Sequence, residues 1–413
     1  MRIVDRGLWG ATLTLLAGGA VAQLLPLLIG PLLTRLYTPA EFGLYHLFAA
    51  VAANVAVVAC ARFEFALPLE RDAEGADALR VLCLWLLLAS GALCAVAGAI
   101  WAASIAAGWP LWLPLAVLGW GALSVATLLA TRAQRFKVLA ASRVVQHGGG
   151  ALAQLVAGWA GLGLTGLIAA PLLGVAASLW LLGLPWRGLR TVSTGRLREA
   201  ARRHRDFPLL NTPHAFAGAL QDTLSVALIA GTHGAAAAGF WGLALRYLKA
   251  PATLVGSAAS QALYPMLAAG RDPAAAVSVD ARDTVRRVML VLAAPAVVLV
   301  LLLWALAPQG FAWAFGERWR PAGELAAALA LYIGVHFVAS PLGVVTMAWK
   351  AQGWALKVAL IGQLLFLGAL AAGLQLGGLQ AAGWGVSLAM AAFFGWYFWR
   401  LANWPVPSPG AAP

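Results

Sequence analysis

The sequence predicts an all-α, polytopic membrane protein, with about 12 transmembrane helices in two six-helix lobes around a central cavity. Three observations carry this. The 413 residues are 62% hydrophobic and only 10% charged, far more apolar than a soluble chain of this length. Apolar runs of about 20 residues, enough to cross a bilayer, recur from end to end. The turns between them are short, and no loop is long enough to be a domain.

The spans fall at 8–33, 43–67, 79–103, 110–131, 142–160, 164–185, 208–231, 238–263, 286–307, 322–346, 354–375 and 380–401. The first begins like a signal peptide, with Arg2, Arg6 and Ala20-Val21-Ala22. Its apolar run continues to Leu33, which predicts an uncleaved membrane helix. Spans five and six are split only by "GWAGLGLTG". The basic stretch after span six divides the chain into a lobe at 1–187, a linker at 188–207 and a second lobe at 208–413. The halves echo each other faintly: Gly43-Leu44-Tyr45 and Gly239-Phe240-Trp241 each open the second helix of a half. Six spans per half give both lobes the same orientation, a parallel repeat about an axis along the membrane normal. That architecture belongs to transporters in which one half rocks against the other.

Basic residues orient the chain. Arg35, Arg318 and Arg320 sit at outer turns, and Arg62, Arg246 and Lys249 within spans. The rest of the 28 Lys and Arg fall at the termini, in the even-numbered loops or at the span edges beside them, above all in "WRGLRTVSTGRLREAARRHRDF". The positive-inside rule then places both termini in the cytoplasm. Topology accounts for the net charge of +13 without a nucleic-acid partner, and anionic membrane lipids are drawn to the same loops.

Charges inside spans are the candidate functional residues, since each costs about 2.5–3.5 kcal/mol at a helix centre. Arg62 and Glu64 lie near the inner end of span two, too close in sequence to share a helix face. Arg62 either snorkels to the headgroups or faces a cleft. Arg246 and Lys249, three apart in span eight, share one face. They line a cleft or pair with Asp222 of span seven. Asp222 is a counter-ion or a proton carrier. His214 and His336 read as core or interface residues.

Other chemistry is not indicated. Cys60, Cys83 and Cys94 lie in apolar runs without metal-ligand spacing and read as core fillers. There is no phosphate-binding loop, no nucleophile elbow, no HExxH and no pair of carboxylates at metal-ligand spacing. No catalytic residue, cofactor or metal is expected.

The stretches "RLYTPAEFGLYHL", "RFEFALPLERDAEGADAL", "TRAQRFKVLAASRVVQ" and "RDFPLLNTPHAFAGALQDTLSVALIAGTHGAAAAGFWGLALRYLKAPATLVGSAASQALYP" resemble the polysaccharide and lipid-linked oligosaccharide flippases of the multidrug/oligosaccharidyl-lipid/polysaccharide exporter superfamily. The resemblance spans about residues 7–400. It implies twelve helices in two lobes, a cavity opening alternately to each side, and no enzymatic activity. The implied cargo is a polyprenyl-diphosphate-linked oligosaccharide for O-antigen (lipopolysaccharide), capsule or exopolysaccharide. The implied place is the bacterial inner membrane, alongside a polysaccharide polymerase and glycosyltransferases. The lipid II branch carries an Arg-Asp pair halfway down its first helix, where this chain has "QLLPLLIGPLL". Only Arg35 matches a basic position of that branch, which points away from lipid II as cargo.

On this reading Arg62 is an inner-mouth cation that captures the diphosphate, with Arg246, Lys249 and Arg35 as further cavity cations. Asp222 and Glu64 are coupling groups or charge partners. A drug/cation antiporter of the same superfamily would place acidic groups in the cleft. A membrane enzyme acting on lipid-linked sugars would need a sizeable outer loop, and a scaffold would not bury charges.

Overall fold

The computed structural model describes residues 2–188, 191–269, 279–349 and 351–405; Leu189 and Arg190 of the linker lie outside them. The described residues are helices and turns, with no strand among them. In chain order the helices are α1 (Arg2–Leu36), α2 (Pro39–Ala56), α3 (Ala73–Ile105), α4 (Leu113–Arg132), α5 (Phe136–Val144), α6 (Gly150–Trp159) and α7 (Gly163–Leu182). Then come α8 (Thr194–Arg203), α9 (Thr212–Ala269), α10 (Val279–Phe315), α11 (Arg320–Ala328), α12 (Ala330–Ala339), α13 (Gly343–Ala348) and α14 (Gln352–Ala402).

Among the described residues, eight stretches are long and apolar enough to cross a bilayer. Two of them hold a pair of spans each: α9 is interrupted at Gly234 (φ 82) and α14 at Gly377–Gly378. Adding α2 and the α5–α6 segment gives twelve spans, one for each that the sequence predicts. The weak split between spans five and six is real: α6 stops at Trp159 and α7 starts at Gly163. Exposed Leu93, Trp85, Trp180, Leu290 and Leu376 cover outer helix faces, as expected where the solvent is hydrocarbon and helices close all backbone hydrogen bonds internally.

The chain forms two compact units, Met1–Ala227 and Leu228–Pro413. Their boundary lies within α9, so 208–227, grouped above with the C-terminal lobe, packs in the first unit. Hydrogen bonds explain that grouping. Asn54 Nδ2 donates to Thr223 Oγ1 (3.3 Å), and the Thr223 hydroxyl donates to the Ala50 carbonyl (3.0 Å).

Local signals set the first unit's elements. Thr38 caps α2 reciprocally with Glu41, a capping box that satisfies two orphan donors. The Tyr37 hydroxyl donates to the Gln154 carbonyl at 2.7 Å, tying the α1–α2 corner to α6. The core beneath includes Leu79, Cys83, Val117, Ala126 and Val175. Span two departs from expectation. The sequence predicts helix to residue 67, but α2 stops at Ala56 and the chain turns before a 3-10 turn at Phe63–Ala66. Ala61 (φ 48) and Arg62 (φ 61) are left-handed, a conformation costing L-residues roughly 1–2 kcal/mol each. Tertiary contacts compensate: the Ser90 hydroxyl donates to the freed Ala59 carbonyl at 3.0 Å, and Arg62 gains the partners described below.

The linker is also more than a basic coil. Ser193 caps α8, accepting from the Arg196 N–H. Its Leu197 and Ala200 join the first unit's core. Arg196 pairs with Glu74 at 2.8 Å, Arg203 reaches Glu70 at 3.3 Å, and His204 Nε2 lies 2.8 Å from the same Glu70 oxygen. Burial of Glu70 leaves its carboxylate committed to these partners, and its field raises the Arg203 pKa.

In the second unit, α11 through α13 form one interrupted span. Ser387 repairs the first interruption. Its hydroxyl donates to the Ala328 carbonyl at 2.6 Å and accepts from the Tyr332 N–H at 3.3 Å. Trp241, Phe366 and Trp319 are among its largest fully buried side chains.

Candidate functional site: a polar cavity in the first unit

Span five is built around a distortion. Between α5 and α6 the backbone makes a π-turn at Val145–Gly149. Such bulges re-aim side chains and recur at functional sites. Gly174 of α7 makes room for it: a Cβ there would lie 2.5 Å from the Gln146 carbonyl oxygen. Ser178, one turn on, donates its hydroxyl to the Ser142 carbonyl at 2.8 Å. On the opposite side α1 approaches through Gly18 and Gly19. A Cβ on Gly18 would meet Ala140 at 2.7 Å, and one on Gly19 would sit 3.7 Å from an Arg143 Nη atom.

The result is a cavity of about 740 Å³ whose wall includes Gln23, Tyr45, Phe65, Trp120, Ser124, Thr127, Arg143, Gln146 and His147. Arg143, Gln146 and His147 enter from the π-distorted span, Gln23 from α1, and Ser124 and Thr127 from α4. Among the described residues, the lining mixes one guanidinium, neutral hydrogen-bonding groups and aromatic faces, with no carboxylate. Such a wall can clamp phosphate oxygens bidentately while amide, hydroxyl and aromatic groups take a neutral polar body. The second unit's groove between α10 and α12, about 440 Å³, is different in kind. Met289, Val300, Trp304, Val338 and Phe398 line it, and it is wholly apolar.

The residues singled out from the sequence sit as follows. Arg62 stands behind the cavity wall. Its Cζ lies 4.1 Å from the centroid of the Phe65 ring, and Phe65 faces the cavity. Its Nε donates to Asn211 Oδ1 at 3.1 Å. Glu64, on the same turn, is 3% exposed and turned into the core with Cys60 and Cys83. Arg35 is exposed in the last turn of α1, and Asp222 is exposed in the first half of α9. Arg246 and Lys249 are half-buried in the other half of α9, in the second unit, where their neighbour Tyr247 packs edge-to-face against Phe311 and Phe315.

Sequence reasoning did not single out Arg143, Gln146 or His147. A signal existed: their i, i+3, i+4 spacing on one helical face, at the start of a predicted span and just before Gly148-Gly149-Gly150.

The sequence matches the family described as "Polysaccharide biosynthesis protein" over residues 32–324. The chain belongs to this family. No curated protein sequence matches it. Among solved structures, it is similar to an inward-facing multidrug resistance MATE family transporter of the MOP superfamily, with TM-score 0.62, 14% identity and 94% of each chain covered. It is also similar to the lipid II flippase MurJ in an inward closed conformation, with TM-score 0.64, 9% identity, and 92% of this chain and 88% of that one covered. A third is a MOP superfamily transporter from Pyrococcus furiosus, at TM-score 0.56 and 15% identity, covering 95% of this chain and 96% of that one. At these identities the likeness is one of fold: the family member is a multi-span helical membrane protein built as these transporters are.

Proposed function

We propose that this protein transports a polyprenyl-diphosphate-linked oligosaccharide, a repeat unit of O-antigen, capsule or exopolysaccharide, across the bacterial inner membrane by alternating access. The observation that carries the proposal is the first unit's cavity, with Arg143 set among hydrogen-bonding and aromatic groups. A diphosphate bearing sugars cannot cross hydrocarbon unaided, because each unpaired polar group costs several kcal/mol and a charge far more. A cavity of this lining replaces the lost hydration, while the polyprenyl tail stays in the bilayer. Family membership and the flippase among the similar folds agree with this reading. A drug/cation antiporter, by contrast, would need an acidic wall.

Arg62 supports the cavity through Phe65, and Arg35, Arg246 and Lys249 are further cations for the diphosphate. Glu64 and Asp222 are coupling groups or charge partners. Both termini and the α8 segment lie in the cytoplasm on this proposal. The test is a clean deletion in a host without a redundant exporter. Export of one surface polysaccharide should stop, and the lipid-linked precursor should accumulate facing the cytoplasm. Normal polysaccharide in that strain overturns the proposal.

A further inference from the structure

Outside the cavity, one cluster of ligating groups is placed in a way that packing alone does not require. Cys60 comes from the broken end of span two, Glu64 from the 3-10 turn that follows, and Cys83 from α3. One ligand atom of each lies within 4.8 Å of the other two. The three residues are 2%, 3% and 0% exposed. Glu64 Oε2 is buried without a hydrogen-bond partner. The Cys60 thiol donates to the Cys83 carbonyl at 3.7 Å and also meets the Cys83 thiol.

An unpartnered buried carboxylate oxygen is costly, and simple core packing would favour an apolar side chain there. The left-handed pair Ala61–Arg62 lies between Cys60 and Glu64 in the chain, and both residues meet Cys83 of α3. A cation shared by the three groups would give that oxygen its partner.

We propose that Cys60, Cys83 and Glu64 form a binding site for a thiophilic divalent cation of the zinc class. Two sulfurs and one carboxylate oxygen are a donor set that suits zinc, with a fourth position left for a small ligand. In a tetrahedral zinc site the ligand atoms stand roughly 3.5–3.8 Å apart, given metal–sulfur bonds of about 2.3 Å. Side-chain adjustments of about 1 Å from the observed arrangement close the set. The two thiols lose their protons to water as the metal binds, and Glu64 coordinates as the carboxylate. The Arg62 guanidinium, two residues from Glu64, offsets the remaining negative charge. Entry is from the cavity, whose Ser124 hydroxyl lies within reach of Glu64. The ion would pin the broken end of span two to α3 and so fix Phe65 in the cavity wall. Its role is positional, independent of which cargo the cavity takes.

The test uses full-length protein in lipid nanodiscs, stripped with a chelator and titrated with Zn²⁺, then separately with Co²⁺. Wild type should retain one equivalent of zinc after desalting. Its cobalt form should show the near-ultraviolet sulfur-to-cobalt charge-transfer band of thiolate ligation. Cys60→Ser with Cys83→Ser should lose both signals. Glu64→Gln should weaken binding by more than about tenfold, the loss typical of removing even an outer hydrogen-bond partner of a metal site. Cys94→Ser, whose thiol lies elsewhere in the core, should match wild type. If the double variant fails to insert, wild type alone decides through the cobalt spectrum. Absence of stoichiometric zinc or of the thiolate band in wild type overturns the proposal, as does equal binding by a folded double variant.

Discussion

Arg62 donates from Nε to Asn211 Oδ1 at 3.1 Å across 149 residues of sequence, joining the broken end of span two to a second π-turn, Phe207–Asn211, that opens span seven. The same guanidinium lies over the Phe65 ring. One side chain thus holds a strained turn, a cavity-wall aromatic and the entry to α9.

Asn211→Leu removes that acceptor without adding charge. We expect a loss of about 1–2 kcal/mol, in the range for a hydrogen bond to a charged group in a partly exposed setting. It should read out as a lower melting temperature in detergent. Arg62→Lys should also destabilise and support only partial export, because an ammonium does not reproduce the planar fork or its stacking. Wild-type melting curves for both variants would show that the contact carries no load.

Arg143 is the cavity's guanidinium, and its substitutions should separate binding from folding. Arg143→Ala should reduce polysaccharide export strongly at normal membrane levels, Arg143→Lys should retain part of it, and Arg143→Glu should be worse than Ala. Gly19→Leu should mimic the loss by crowding the side chain, since a Cβ there already reaches 3.7 Å from an Arg143 Nη atom. Export assays with immunoblots check all four, and full export by Arg143→Ala would remove Arg143 from the cargo site.

Docking of α8 depends on Glu70, which meets both Arg203 and His204. Glu70→Ala leaves two cationic or polar groups without their shared acceptor and should loosen α8 from α3. The expected readout is several-fold faster proteolysis within 191–206 of the solubilised protein, with the spans intact. Reversing the partner, by Arg203→Ala alone, should have a smaller effect because Arg203 is exposed and surface ion pairs contribute little.

Orientation is checked by reporter fusions at Arg196, in α8, and Gly316, at the end of α10. The charge asymmetry predicts a cytoplasmic signal for the first and a periplasmic one for the second. The same side for both would refute the twelve-span topology.

The number and place of the spans, the all-α class and the family resemblance were legible from the sequence alone. Hydrophobic run length is a local property, and a lipid solvent obliges each such run to close its hydrogen bonds as a helix. The corners were equally local: Thr38 with Glu41 caps α2, and Gly234 and Gly378 turn the chain with positive φ. What the sequence left open was decided by contacts between distant residues. Nothing near Ala61–Arg62 is a Gly or Pro, so no local signal announced the break in span two; Asn211, Ser90 and Phe65 hold it there. Periodicity at 3.6 residues does not show a π-turn either, so the side chains of Arg143, Gln146 and His147 found their common cavity only once Gly174 and Gly19 let α7 and α1 close around them. Charge within a span says that something must compensate it, but the compensating partner is set by packing. The sequence pointed to Arg62, Arg246, Lys249 and Arg35 by their charge alone, whereas Arg143, and Phe65 with Arg62 over its ring, meet at one cavity only through tertiary packing.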